Sequence, residues 1–347
     1  MADVGEVAGV SKNAVSLAFR HDPQIPVATR DRIFAAARKI GYRYDPHAGD
    51  LLSRVRAGGQ AARSTLAVVH AHADKNAWKA HPTIPTYLTG VRRRAEERGY
   101  GTDLFWLHDQ GVRGEALARI LRSRGIRGVV VVGMMRTNQL PDHFLPVIEG
   151  FSCVVTGVRT RAPALPFACV DHYDLSRRAM EHALSLGYRR PGLVLDETID
   201  HLVDGRFGAG YRRSQEQLPG ESHLQPFYQV QAARSNPAVF ADWVRREKPD
   251  MIFTLYHEVR RWLEGLSLRV PEDVGLAQLE WRPNHPDWAG MDQHNDLAGE
   301  AAVDMLLGMM LRGERGSPQF PRAFLMGSSW KDGHTLPRRA VSSAALA

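Results

Sequence analysis

Cysteine is nearly absent. Cys153 and Cys169 are the two in 347 residues, each set among apolar neighbours. Two isolated thiols rule out a disulfide framework and the paired spacings of a structural zinc site, and they are expected to be buried and reduced. Long apolar runs are also missing. The longest, Gly128 to Met135, falls far short of the roughly 20 residues that a membrane helix needs. The start has no basic segment followed by an apolar one, so no secretory signal is expected and a cytoplasmic protein is. There is no Walker-type phosphate loop, no G-x-G-x-x-G after a strand and no G-x-S-x-G elbow. Nucleotide-dependent and serine-hydrolase chemistry therefore have no carrier, and no cofactor is expected.

The formal net charge is +7. Residues 1–63 hold ten Lys/Arg against six Asp/Glu, so more than half of the excess lies in under a fifth of the chain. Positive charge concentrated at one end suits phosphate neutralisation by that end.

The same end carries the most specific pattern. In Asp3-Val4-Gly5-Glu6-Val7-Ala8-Gly9-Val10-Ser11-Lys12-Asn13-Ala14-Val15-Ser16-Leu17-Ala18-Phe19, apolar Val4, Val7 and Ala8 fall on one face of a short helix. Gly9 can turn the chain at positive φ without steric cost. Ser11 is a good N-cap for a second helix whose Val15, Ala18 and Phe19 point inward. Lys12, Asn13 and Ser16 then face outward, as donors or mixed donor–acceptors of the kind that read base edges.

This stretch resembles the DNA-binding headpiece of the lactose/galactose-repressor (LacI/GalR) family of transcription regulators. Three further segments are similar to the family. They are Ile25–Arg30 with Ala35–Tyr42, then Asp45–Leu51 where the family has its hinge helix, and Val270-Pro271-Glu272-Asp273-Val274 before a strand. The resemblance covers nearly the whole chain. It implies a homodimeric repressor on a palindromic double-stranded operator, released or engaged by a small effector, with a carbohydrate as first choice. The implied DNA-contacting set is Ser11, Lys12, Asn13, Ala14, Ser16, Leu17, Arg20, Ile25 and Thr29, with Leu51, Leu52 and Arg54 on the hinge. Leu51 would wedge a minor-groove step. Leu17 stands where the family usually has arginine. It can touch a thymine methyl but cannot fork onto guanine, so the family's common operator preference is not expected. Only Met1 and Ala2 precede Asp3, fewer residues than the resemblance leads one to expect.

Beyond residue 63, glycine-bounded apolar strands alternate with helices. Strands are predicted at 66–69, 102–107, 129–132, 153–156, 168–170, 192–195, 251–254 and 275–279. Helices are predicted at 87–98, 114–124, 175–186, from about 206, at 237–247, 257–266 and 295–312. The expected fold class is α/β: an all-α helix-turn-helix headpiece (1–44), a hinge and linker (45–63), and two doubly wound parallel-sheet lobes of periplasmic-binding-protein type (64–347). Lobe 1 is expected at about 64–160 plus 290–322, and lobe 2 at about 161–289 plus 323–338. The resemblance adds three crossings between the lobes. The stretches around 87–98 and 126–135 are the expected dimer surface.

Ligands bind such sheets beyond the carboxyl ends of the strands. The residues placed there are Trp78, His81, Asp171, His172, Arg206, Phe207, Tyr256, Glu280 and Trp281. Aromatic faces with carboxylates and amides suit a carbohydrate. Two other readings are open. One is a ligand sensor whose headpiece no longer reads DNA. The other is a metal-dependent hydrolase through His70 and His72, which flank one residue at a strand end. Alternation along a strand instead predicts that one histidine lines the cleft and the other faces away. The expectation is a binding protein rather than an enzyme, with no metal.

Overall fold

A computed structural model describes residues 1–19, 22–42 and 64–339. Arg20 and the hinge residues Leu51, Leu52 and Arg54 lie outside these.

Among the described residues the N-terminal unit has three helices: α1 (Ala2–Ala8), α2 (Lys12–Phe19) and α3 (Val27–Lys39). Their core is Val4, Ala8, Val15, Ala18, Ile33, Ala36 and Ala37. Gly9 takes φ +64° and closes α1, its N–H bonding to the Glu6 carbonyl. The expected inward position of Val7 is not borne out. Val7 is 48% exposed, and Gly5 is buried in its place. A Cβ on Gly5 would stand 2.7 Å from the Val10 carbonyl oxygen, so the α1–α2 turn is folded against bare backbone there. Phe19, Phe34 and Tyr42 close one end of the unit, with ring centroids 5.2 and 5.9 Å from Phe19.

Residues 64–339 form two sheets. The first contains β1 (Thr65–His70), β2 (Gly101–Trp106), β3 (Gly128–Val132), β4 (Ser152–Thr156), β5 (Phe167–Val170) and β10 (Ala323–Met326), in the order β10-β5-β4-β3-β1-β2. All its pairings are parallel. The second is ordered β11-β9-β8-β7-β6, from β6 (Pro191–Val194), β7 (Met251–Thr254), β8 (Gly275–Gln278), β9 (Ala289–Asp292) and β11 (Ser329–Lys331). It is parallel except for β11. Fully buried β3, with four consecutive valines, shows why such strands read as unbroken apolar runs: both faces are covered.

The helices around these sheets are α4 (Ala77–Ala80), α5 (Ile84–Glu97), α6 (Glu115–Ser123), α7 (Leu145–Gly150), α8 (His172–Ser185), α9 (Glu197–Leu202), α10 (Arg206–Gln215), α11 (Val230–Ser235), α12 (Ala238–Glu247), α13 (Glu258–Gly265) and α14 (Asn295–Arg312). The chain crosses between sheets three times: after β5, between β9 and α14, and between β10 and β11. That count is as expected, but the lobe limits need correction. Phe167–Val170 and Ala323–Met326 belong to the first sheet, not the second, and Ala289–Asp292 to the second. Periodicity finds a strand without revealing its neighbours, and these three are settled only by hydrogen-bond pairing.

The apolar residues of the expected dimer surface pack within the lobe. Tyr87, Leu88, Val91 and Ala95 of α5, and all of β3, are spent on the lobe's own core. The α5 helix packs against the N-terminal half of α14 at glycines. A Cβ on Gly90 would lie 1.8 Å from the Asp296 carbonyl oxygen, and one on Gly299 2.4 Å from that of Tyr87. Arg93 of α5 bonds Asp296 at 2.7 Å, and Arg94 bonds Glu300, fixing the same contact at its rim. Gly90→Ala should therefore push two helices apart and lower the melting temperature by roughly 2–10 °C. Gly265→Ala, which meets open space, should leave it nearly unchanged. Thermal unfolding of both variants checks this.

Candidate functional site

In the headpiece, the Ser11 hydroxyl accepts from the Ala14 N–H at 3.2 Å, the expected cap. Ser11, Lys12 and Asn13 are exposed at the start of α2. Ala14, Ser16 and Leu17 are half-buried. Ile25 packs against the headpiece core and its carbonyl accepts from Arg30, so its side chain is first of all structural. Thr29, on the first turn of α3, is half-buried.

Between the two sheets lies a cavity of about 690 Å³, within the 300–1,000 Å³ usual for small-molecule sites. Its walls are the segments that leave the carboxyl ends of the strands. The first lobe contributes His72 after β1, Met134, Met135 and Arg136 after β3, and Thr156 and Val158 from β4 onward. His81, Thr83 and Tyr87 flank the start of α5. The second lobe contributes Ile199, Leu202, Phe207, Tyr256, His257, Glu280 and Arg282.

Of the nine residues expected here, the cavity is lined by five: His81, His172, Phe207, Tyr256 and Glu280. The other four have different employment. Asp171 caps α8, accepting from the Asp174 N–H at 3.2 Å. Arg206 lies over the Phe167 ring at 5.9 Å and bonds the Cys169 sulfur at 3.9 Å. Trp281 sits under Lys331, 5.4 Å from its ring. Trp78 lines a separate 260 Å³ cavity with His70, Lys75 and Trp106. Sequence reasoning missed Arg136, Gln231, Arg234, Arg261, Arg282 and Gln293. Arg282 carried a findable signal, two residues past Glu280 at the same strand end.

The polar side of the cavity is preorganised. Glu280 Oε2 accepts from Arg282 at 2.8 Å and from the Thr83 hydroxyl at 3.1 Å, while Oε1 accepts from Asn295 at 3.2 Å. The Tyr256 hydroxyl accepts from the Asp196 N–H at 3.1 Å. His81 Nδ1 accepts from the Thr83 N–H at 3.1 Å, so Nε2 carries the proton of the neutral ring. Burial, then the neighbouring His72 and Arg282, lowers the His81 pKa to about 4. Burial, with Arg206, lowers that of His172 to about 3, and burial with His285 and Arg282 that of His257 to about 4. The cavity at neutral pH thus presents neutral imidazoles, fixed arginines and paired carboxylates. Such groups hold and orient hydroxyls and anions.

The histidine pair after β1 divides as alternation requires. His72 lines the main cavity, while His70 is 2% exposed and lines the smaller one. Among the described residues no group of three or more His, Cys, Asp or Glu is placed to hold a metal, which leaves the hydrolase reading without a ligand set. Burial raises the pKa of both thiols, Cys153 and Cys169, to about 12. No described helix is long and apolar enough to cross a membrane.

A helix-turn-helix unit and a two-lobed α/β domain of periplasmic-binding-protein type define the class. Residues 1–45 match the family model described as "Bacterial regulatory proteins, lacI family". The sucrose operon repressors of Shigella flexneri and Escherichia coli are each 28% identical over 214 residues, 61% of this chain and 58% of theirs. MalR of Streptomyces coelicolor is 24% identical over 229 residues, covering 63% of this chain and 60% of its own. The match to the sucrose repressors thus spans little more than half of their length. Among solved structures, a CelR–cellobiose complex superposes with TM-score 0.59 at 19% identity, covering 96% of this chain and 98% of its own. The lac repressor dimer bound to operator and the anti-inducer ONPF superposes at 0.56 and 18%, with the same coverage. The chain is thus similar to the lacI family, through a headpiece that matches its model over residues 1–45 and through a common fold beyond.

The lowered histidine pKa values set a direction for acid stability. Each folded-state value lies below the unfolded value of 6.5, so the unfolded chain binds more protons as pH falls. The contribution is complete above about pH 6.5 and is lost on descending toward 3–4. The melting temperature should hold steady near neutrality and fall between pH 6.5 and 4. His172→Phe, which keeps a ring against Phe207 4.6 Å away, should flatten that fall. Equal slopes in variant and parent would remove His172 as a source.

Proposed function

We propose that the chain is a sequence-specific DNA-binding transcription regulator, a repressor, controlled by a small polar ligand between its two lobes, with a carbohydrate as the first class. One observation carries this reading. The same chain holds a serine-capped helix with Lys12 and Asn13 exposed at its start and a preorganised inter-lobe cavity at the strand ends. The ligands bound in structures of related fold, cellobiose in a CelR complex and glucose and ribose in two LacI-family regulators, support the carbohydrate class. The protein acts by binding rather than catalysis, in the cytoplasm. Residues 1–44 read DNA and residues 45–63 serve as hinge. A homodimer on a palindromic operator follows from the two-fold reading of two half-sites. Whatever ligand alters DNA affinity must have its own affinity altered by the same factor.

Mobility shifts on genomic fragments test the DNA reading. Binding should weaken steeply with salt, because phosphate neutralisation supplies most of the affinity. Lys12→Ala or Asn13→Ala should lose about 1–3 kcal/mol of discrimination between operator and random duplex. Equal weakening on both duplexes would confine these side chains to phosphate contacts, and salt-insensitive or absent binding would favour a sensor without DNA readout.

The dimer face proposed is the outer edge of the first sheet. β10 is paired on one side by β5 and leaves Phe324 and Leu325 49% and 45% exposed. An unpaired apolar edge is covered by a partner or becomes a liability. Phe324→Asp with Leu325→Asp should sediment as a monomer at micromolar concentration with its melting profile otherwise intact. A dimer that survives the double change would move the interface elsewhere.

A further inference from the structure

The ionisable groups lining the main cavity carry more positive than negative charge. Arg136 faces it from the first lobe, and Arg234, Arg261 and Arg282 from the second, against Glu258 and Glu280. Both glutamates are already engaged. Glu258 accepts from Arg234 at 2.7 Å and Glu280 from Arg282 at 2.8 Å. Arg136 and Arg261 are exposed and make no ion pair among the described residues. They stand on opposite lobes. The histidines add no charge of their own, since burial keeps the His81, His172 and His257 rings neutral, and the nearby arginines push the same way.

A neutral sugar would leave these two cations with water as their only partner. A guanidinium offers a planar fork of donors that matches a carboxylate or a phosphate, and such charged hydrogen bonds are about twice as strong as neutral ones. Phe207, Leu202 and Met134 supply an apolar surface for the face of a ring. We propose that the ligand of this cavity is an anionic monosaccharide, a sugar acid or a sugar phosphate, whose charged group is held by Arg136 and Arg261. The proposal rests on the reading of the cavity as a sugar site and narrows it to one charge class. Carboxylate and phosphate share the chemistry that the arginines recognise.

Calorimetric titration of the full chain separates these possibilities. The probes are glucose with glucuronate and glucose 6-phosphate, ribose with ribose 5-phosphate, and inorganic phosphate alone. At least one acidic sugar should bind at least tenfold more tightly than its neutral parent. The uronate and phosphate arms identify the anion. The double variant Arg136→Ala/Arg261→Ala should lose at least tenfold for that sugar, whereas Arg119→Ala, on the exposed face of α6, should lose nothing. Both arginines are exposed, so the double variant should melt like the parent when no ligand is present. Neutral sugars binding as tightly as their acids, or acid binding indifferent to the double change, would overturn the charge class and leave the sugar cavity standing. Inorganic phosphate binding as tightly as the sugar phosphate would overturn the sugar half instead. No binding by any probe would overturn both.

Discussion

One carboxylate ties the two lobes together. Glu280 leaves the end of β8 in the second lobe, yet its oxygens accept from Thr83 at the head of the first lobe's α5 and from Asn295, where the chain crosses back. Arg282, 18% exposed, holds the same carboxylate from its own lobe. A half-satisfied charge at this depth would be costly, so the depth of the cavity and the approach of its walls follow from the set being complete. Lesser bridges run in parallel. Asp204 draws in Arg161, and Leu202 of the second lobe's α9 packs in the first lobe's core cluster. Val170 of the first sheet enters the second lobe's cluster in turn and Ile199 touches both, so the lobes are joined by a few directional contacts and a small apolar seam.

Elements with strong periodicity or strong punctuation were legible in the sequence. The strand at 251–254 and the helix at 295–312 coincide with the structure, and most others agree to within a few residues. β10 and β11 were not. Ala323–Met326 is apolar but only four residues long and Ser329–Lys331 only three, so neither reads as a strand. β9 is hidden for another reason. Ala289-Gly290-Met291-Asp292 includes a glycine where a Cβ would meet the Gln278 backbone at 2.3 Å, so the close fit to β8 removes the side chain that would have announced a strand.

For the site, strand ends located the cavity but not the direction of each side chain. Two neighbours show the limit. His172 is buried into the cavity wall, while Asp171, one residue earlier, turns its carboxylate back to cap α8. The pair Arg206 and Phe207 divides in the same way: the aromatic ring faces the cavity and the cation turns to Phe167 and Cys169. A period-two or helical alternation decides each pair, and its phase depends on the hinge that precedes it. The arginines of α11 and α13 escaped for a simpler reason. On a surface helix, Arg234 and Arg261 are indistinguishable from the solvated charges around them until tertiary structure brings the helices to the cavity rim.

The distribution of cations over both lobes bears on how a ligand could act as a switch. A ligand shifts a conformational equilibrium only by its difference in affinity for the two states. Moving a population from about 1:99 to 99:1 takes roughly 5.5 kcal/mol of that difference. Apolar contacts to Phe207 or Met134 are made to one lobe and persist when the lobes part, so they add affinity without shifting the balance. Contacts bridging the lobes are lost on opening. A hydrogen bond to a charged group contributes about 1.5–3 kcal/mol, so two or three such bonds, made to Arg136 on one side and Arg261 on the other, reach the required difference. A ligand anchored by only one lobe would leave the balance where it was, however tightly it bound. The partition of charged groups between the lobes, more than the volume of the cavity, therefore sets how strongly a bound molecule can hold this protein in one state.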